Sequence, residues 1–236
     1  MEQPEGFNLA EGKDFVCKLK KALYGLKQAP RASYARLDHY LQQQSFKKGL
    51  AGSNLCMNMD EDKLLVTLVY VDDLIFASNN YEMSHEFSQT MSKEFKISMI
   101  GELYYFLGIQ VCQTMAGVFI SQVKYLKDML KKYGMEYCAP MSTPMDTDCK
   151  LRKDDDSPLV DVIHSRSIIG ALLYLTAMRP DIMQAVGMVG RFRSTPKQSH
   201  LLAIKRILRY LKGTPDFGLW YPKSSTLTMT AYTDAD

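Results

Sequence analysis

The run from Leu64 to Ser78, LLVTLVYVDDLIFAS, holds two segments of β-forming residues separated by two adjacent carboxylates, Asp72 and Asp73. Val, Leu, Ile, Phe and Tyr dominate both flanks, so each flank reads as a strand. A connection this short lets the two meet only as an antiparallel hairpin. The expected strands are about Leu64 to Val71 and Leu74 to Ser78. The residues alone leave the pair two readings. Asp is a common turn residue. Two like charges held side by side in a partly buried cleft also call for a counter-charge, and carboxylate oxygens suit a hard cation such as Mg²⁺. A metal site of that kind takes a third carboxylate from another strand.

Upstream, DFVCKL reads as a short strand, and a helix is expected after Pro30, with Tyr34, Leu37, Tyr40 and Leu41 at helical spacing. NLCMNM and KLLVTLVYV flank DEDK as a further hairpin. Asn79-Asn80 is expected to cap a helix bearing Met83, Phe87, Met91 and Phe95, with Glu82 completing a capping box from Asn79. YYFLGIQVCQ and GVFISQ are β-rich and joined by TMAG. A helix then carries Val123, Leu126, Met129, Leu130 and Tyr133, with Ser121 as its expected cap and Gly134 as its stop. From Pro140 to Val162 the texture turns to Pro, Ser, Thr and Asp without periodicity, which reads as a linker. Beyond it, helices are expected over Ser165 to Met178 and Asp181 to Arg193, broken at Arg179-Pro180. A third runs over Lys197 to Lys212, with Leu201, Ile204, Leu208 and Leu211 on one side. TLTMTAYTDAD reads as a strand.

With 46% apolar and 23% charged residues in 236, the chain falls in the ordinary globular class, not the disordered or fibrous ones. No apolar run approaches the roughly 18 to 20 residues of a membrane helix, and the first residues lack the layout of a secretory signal. A reducing compartment is expected. The five cysteines form no Cys-x-x-Cys pair, so they read as thiols, neither a disulfide framework nor a zinc site. The four histidines are scattered, and Asp154-Asp155-Asp156 lacks the spacing of a calcium loop. Arg191 to Thr214 holds Arg191, Arg193, Lys197, Lys205, Arg206, Arg209 and Lys212 with no acidic residue. Such a segment suits phosphate contacts, or is a solvated helix face.

Six blocks together resemble one family: LKKALYGLKQAPRASYARLDHYL, LVYVDDLIFA, GELYYFLGIQV, GVFISQVKYLKDMLKKYGM, LLYLTAMRPDI and HLLAIKRILRYLKGTPDFGLWY. Their content and order are similar to copia-type retrotransposon reverse transcriptase. The resemblance implies an α+β right-hand polymerase palm with partial fingers and thumb over residues 1–140, a linker over 140–162, and a helical connection segment over 163–225. Residues 226–236 would open an RNase H domain. It implies an RNA-directed DNA polymerase that uses Mg²⁺ or Mn²⁺ and takes an RNA template, a DNA primer strand and dNTP, alongside other parts of a Pol polyprotein. Its setting in the family is a cytoplasmic virus-like particle.

Carried onto this sequence, the resemblance makes Asp72 and Asp73 metal ligands and sets Tyr70 beside the primer end. Gln28, Ala29 and Pro30 match the nucleotide and template side of the pocket. Phe106, Leu107 and Gly108 match the hairpin that grips the primer, and Asp234 matches the first RNase H carboxylate. A phosphate-binding face would carry Lys205, Arg209 and Lys212. Three departures stand out. The family's third palm carboxylate lies in a block upstream of MEQPEGF, the RNase H match stops at Asp236, and Ser33 replaces the usual Trp. The resemblance therefore implies an incomplete module, inactive alone. The alternatives are a non-catalytic relic or host-retained fragment that still binds nucleic acid, and an unrelated metal-binding hairpin protein.

Overall fold

The computed structural model describes residues 20, 23, 25–50, 52–71, 73–95, 97–146 and 150–223. The strand expected at DFVCKL, the terminal TLTMTAYTDAD, Asp72 and Asp234 lie outside the described residues. The chain divides into two compact units, residues 1–101 and 102–236.

In the first unit, helix α1 (Ala29–Gln43) begins with Pro30 in its first turn, where a missing N–H costs nothing. Four antiparallel strands follow in sheet order β1 (Lys47–Gly49), β2 (Gly52–Asp60), β3 (Lys63–Tyr70) and β4 (Asp73–Ser78), and then helix α2 (Tyr81–Phe95). Strand β3 buries Leu65, Thr67 and Val69, every second residue, while their neighbours remain partly exposed. These three face Leu41, Phe46, Cys56, Phe87 and Met91 in one core, with Tyr34, Leu37 and Tyr40 of α1 packed around it. Phe87 meets Phe46 and Phe76 at ring distances of 5.4 and 5.1 Å. Both helices therefore cover one face of the sheet.

The cap of α2 is Asn80, whose Oδ1 accepts from the Met83 N–H at 2.9 Å. The capping box expected from Asn79 and Glu82 is thus replaced. Asn79 instead accepts from the Leu64 N–H at 2.8 Å and donates to the Asp62 carbonyl at 2.7 Å, bracing the β2–β3 turn. Two adjacent asparagines offer the same chemistry, and only tertiary proximity to that turn distinguishes their roles.

The second unit has its own antiparallel sheet, ordered β5 (Tyr105–Phe106), β6 (Ile109–Gln113), β7 (Gly117–Ser121) and β8 (Gly218–Pro222). Its helices are α3 (Val123–Lys132), α4 (Val162–Leu175), α5 (Met183–Gly190) and α6 (Gln198–Gly213), with a 3-10 turn at Pro180–Ile182. Helix α3 starts after Gln122, and Ser121 belongs to β7. Gly134 (φ 68°) ends the helix as expected. Its N–H bonds the Lys131 carbonyl and that of Met135 the Leu130 carbonyl, the paired bonds of a Schellman stop. One apolar core joins Leu126, Met129 and Leu130 of α3 to Ile168 and Leu172, Val186 and Val189, and Ile204 and Leu208 of the later helices.

The described residues of 140–162 contain no helix or named strand until α4 begins, and the stretch lies within the second unit. The Met141 N–H bonds the Arg209 carbonyl at 3.2 Å, the Val160 N–H bonds that of Pro196 at 3.1 Å, and the Gln198 N–H bonds that of Pro158 at 2.8 Å. The stretch straps α6 from both ends, and the division between units falls after Gly101 instead. A strap and a linker share the same aperiodic composition. Hydrogen bonds to residues far along the chain separate them.

Strand β8 lies in the part read as a helical connection segment and closes its sheet by pairing with β7, Gly218 opposite Ser121 and Gly117 opposite Pro222. The backbones approach closely at both glycines. A Cβ on Gly218 would lie 2.3 Å from the Ile120 carbonyl oxygen, and one on Gly117 would lie 2.3 Å from that of Tyr221. Gly218→Ala is therefore expected to destabilise the second unit by about 1–3 kcal/mol. Trp220, the only Trp of the chain, sits in β8 and reports this directly in a urea titration. An unshifted fluorescence midpoint would mean that β7 and β8 do not pair in solution.

Candidate functional site

The hairpin expected around the Asp pair is present. Strands β3 and β4 pair from Leu65 opposite Ser78 to Tyr70 opposite Asp73, so Asp73 opens β4 and does not lie in the turn, and Val71 follows the end of β3. Val71 has φ 53°, a conformation that a β-branched residue adopts at a cost of about 1–3 kcal/mol. Val69 points into the core, so Tyr70 and its cross-strand partner Asp73 lie on the other face, the one α1 and α2 leave uncovered. Asp73 is exposed, and no side-chain hydrogen bond or ion pair holds its carboxylate among the described residues. A free carboxylate with no competing base fits a hard divalent cation such as Mg²⁺ or Mn²⁺. No cluster of three or more His, Cys, Asp or Glu placed to hold a metal occurs among the described residues.

Gln28 and Pro30 are both exposed at the start of α1. Gln28 is the N-cap residue, yet its side chain makes no capping hydrogen bond. The amide is thus available to something other than the helix end.

In the second unit, Phe106, Leu107 and Gly108 occupy a hairpin, but the β-rich run YYFLGIQVCQ is broken there instead of forming one strand. Tyr105 pairs with Gln110 and Phe106 with Ile109, and Leu107 (φ 48°) and Gly108 (φ 80°) form the two-residue loop. Two consecutive positive φ values match the right-handed twist of hairpin strands. The glycine supplies one of them without strain, a signal that composition alone had hidden among β-formers. Tyr174 of α4 donates its hydroxyl to the Leu107 carbonyl.

The basic side of α6 is divided by its contacts. Lys205 and Lys212 are exposed. Arg209 donates Nε to the Ala139 carbonyl at 2.7 Å, and Arg206 reaches Asp146 at 3.1 Å and the Thr143 hydroxyl at 2.9 Å. Two of the cations thus hold the strap, and an acidic partner distant in sequence meets a segment that has none of its own.

Three polar networks had no sequence signal. Arg179 is 2% exposed and grips Asp181 through Nε and Nη2 at 2.9 and 2.7 Å. Its Nη1 and Nη2 also donate to the carbonyl and hydroxyl of Thr214, at 2.8 and 2.7 Å, tying the end of α6 to the turn after α4. Burial pushes the Asp181 carboxyl up, but hydrogen bonds from Arg179 and the Tyr210 hydroxyl outweigh it and leave it below its usual value. His200 is buried, its Nδ1 accepting from the Lys197 N–H at 3.0 Å while Nε2 faces the Arg152 carbonyl at 2.9 Å. It is a core histidine. Asp155 accepts from the hydroxyls of Ser157 and Ser199, which hold its carboxyl down to about 2.

A family profile described as reverse transcriptase (RNA-dependent DNA polymerase) matches residues 1–147. The retrovirus-related Pol polyprotein from transposon RE1 of Arabidopsis thaliana is 40% identical over the whole chain, which covers 16% of that polyprotein. The Pol polyprotein from transposon TNT 1-94 of Nicotiana tabacum is 36% identical over the whole chain, covering 18%. A putative transposon Ty5-1 protein of Saccharomyces cerevisiae is 29% identical over the whole chain, covering 77%. The chain thus spans less than one fifth of the two Pol polyproteins. No solved structure matches it. No helix among the described residues is long and apolar enough to cross a membrane. The aspartate hairpin, the blocks around it and these matches agree: the chain belongs to the reverse transcriptase family, in the form found in copia-type retrotransposon Pol polyproteins.

Proposed function

We propose that the chain is the polymerase part of a retrotransposon Pol polyprotein, extending a DNA primer with dNTP on an RNA template in a cytoplasmic particle. Residues 1–140 would be its palm, fingers and thumb, 163–225 its connection segment and 226–236 the start of RNase H. The observation that carries the reading is the β3–β4 hairpin within the matched region, with the Asp73 carboxylate unpartnered among the described residues on the sheet face free of helices. Asp72 and Asp73 would hold Mg²⁺ or Mn²⁺. Bound divalent cations supply activation of an attacking oxygen and stabilisation of a leaving one in phosphoryl transfer. Tyr70, directly opposite Asp73, presents its ring beside the primer end. Gln28 and Pro30 line the nucleotide and template side, and Phe106, Leu107 and Gly108 hold the primer strand. Asp234 would be the first RNase H carboxylate.

The reading needs a third carboxylate, and the resemblance places it outside these 236 residues. The chain alone is then an incomplete module. Primer extension on an RNA template, in Mg²⁺ and in Mn²⁺, tests both claims. The chain alone is expected to incorporate nothing. A polypeptide in which the upstream polymerase segment of the Arabidopsis relative precedes it is expected to extend the primer. Incorporation by the chain alone overturns the incomplete module. A longer polypeptide that binds primer–template yet never extends it overturns the polymerase reading.

Lys205 and Lys212 are the cations of the α6 face left for phosphates, because Arg209 is engaged by Ala139. Phosphate contacts position a strand without reading its bases. Changing Lys205 and Lys212 to Gln is expected to weaken binding to every duplex sequence alike and to reduce the log–log salt slope by about two. Fluorescence anisotropy across a salt series measures this, and an unchanged slope would make the face plain solvated surface. Adding Arg209→Gln is expected to loosen the strap as well, so it does not belong in the same test.

A further inference from the structure

Strand β6 of the β5–β6 hairpin is held by β7 from Gln110 onward, and Gln110 accepts from the Lys124 N–H at 2.9 Å. Strand β5 has only two residues, braced by the Val111 N–H on the Tyr104 carbonyl at 2.9 Å and by the Lys124 ammonium over the Tyr105 ring. The loop at Leu107 and Gly108 lies beyond the pairing with β7. Leu107 also sits in the left-handed region, which disfavours any residue with a side chain. Support for the tip itself comes from outside the ladder.

That support comes from α4, far along the chain. The Tyr174 hydroxyl donates to the Leu107 carbonyl at the loop. The ring packs so close that a Cβ on Gly108 would sit 3.1 Å from the Tyr174 hydroxyl oxygen. Tyr174 is in turn held by α3, where the Tyr125 ring meets it edge-on with centroids 4.8 Å apart. Helix α4 is anchored beneath by Ile168, Leu172 and Leu175, all buried. The hairpin tip therefore inherits its place from a helix that lies beyond the family-matched residues 1–147.

We propose that Tyr174 is a positioning residue for primer binding: its hydroxyl on the Leu107 carbonyl makes α4 set the tip of the primer-gripping hairpin. The inference rests on reading Phe106 to Gly108 as primer-contacting. It adds that the geometry of this contact is controlled from the helical segment, through one hydrogen bond and one close ring contact.

The test uses the full 236-residue chain and Tyr174→Phe, which keeps the ring and its packing. Two readouts are taken. Amide hydrogen exchange over residues 104–111 is expected to accelerate about fivefold in the variant, the factor for one net hydrogen bond, while α4 and α6 keep their protection. A primer whose 3′ nucleotide carries a photoreactive base is then bound on its template and cross-linked. Mass spectrometry should find the cross-link at Phe106 to Gly108 in the unsubstituted chain, and less of it in Tyr174→Phe at equal occupancy. Unchanged exchange overturns the proposal, because the hydroxyl then holds nothing. Faster exchange with an undiminished cross-link overturns it too, since the tip would be loosened without consequence for the primer. A missing cross-link in the unsubstituted chain at full occupancy instead removes the primer-contact reading on which the proposal stands.

Discussion

Replacing Asp73 by asparagine is expected to lower templated incorporation by about a hundred- to a thousandfold in a polypeptide that shows it, the scale set by losing a metal-holding carboxylate. The substitution is nearly isosteric. Because the Asp73 carboxylate is exposed and unpartnered among the described residues, the hairpin keeps its register and its stability. Primer–template affinity is also expected to hold, since the proposed phosphate contacts lie on α6 and not at Asp73. The loss should therefore appear in kcat and leave the KM for primer–template nearly unchanged. Asp62, at the opposite end of β3 in the β2–β3 turn, is the matched control, and Asp62→Asn should extend primers at the unsubstituted rate. Single-nucleotide incorporation kinetics would settle the matter. Full activity in Asp73→Asn would return the carboxylate to the plain role of a turn residue.

Arg179→Ala is expected to have the largest effect on stability, about 3 kcal/mol lost from the second unit. The guanidinium is almost fully buried, and its removal strips hydrogen bonds from Asp181 and from both oxygens of Thr214. Its ring contacts with Tyr210 and Phe217, at 5.8 and 5.3 Å, are lost as well. Unfolding in urea followed through Trp220 measures the change. The pH dependence gives an independent sign. In the intact chain the Asp181 carboxyl lies below its unfolded value, so its contribution is present above the unfolded carboxylate range and is lost as pH falls through the folded value. In Arg179→Ala the Tyr210 hydroxyl still bonds the Asp181 carboxyl and opposes burial, so the carboxyl moves back up toward its unfolded value. The Asp181 share of the loss of stability on acidification should therefore be smaller in the variant than in the parent. A variant that unfolds at the parent's midpoint would show that the network contributes no net stability.

Much of the local structure was legible because it depends on near neighbours. Alternation of apolar residues identified β3 and β4, Pro30 identified the start of α1, and Gly134 identified the stop of α3, each through chemistry acting within a few residues. The β3–β4 hairpin that carries Asp73 was legible for the same reason, although Asp73 itself opens β4. The resemblance supplied the family, and the family match agrees with it.

The sequence by itself determined the period of β3, β4, α1 and α3, the β3–β4 hairpin and the family. Tertiary structure alone decided which asparagine caps α2, that residues 140–162 are a strap, that β8 closes a sheet, and which cations of α6 remain free. Each of these outcomes depends on partners tens of residues apart, brought together by burial of the two cores. Local propensity acts over a few residues and is identical whether or not such a partner arrives. Arg179 illustrates the limit, since an arginine beside a proline reads as a helix break, and only packing makes it a buried clamp on Asp181 and Thr214.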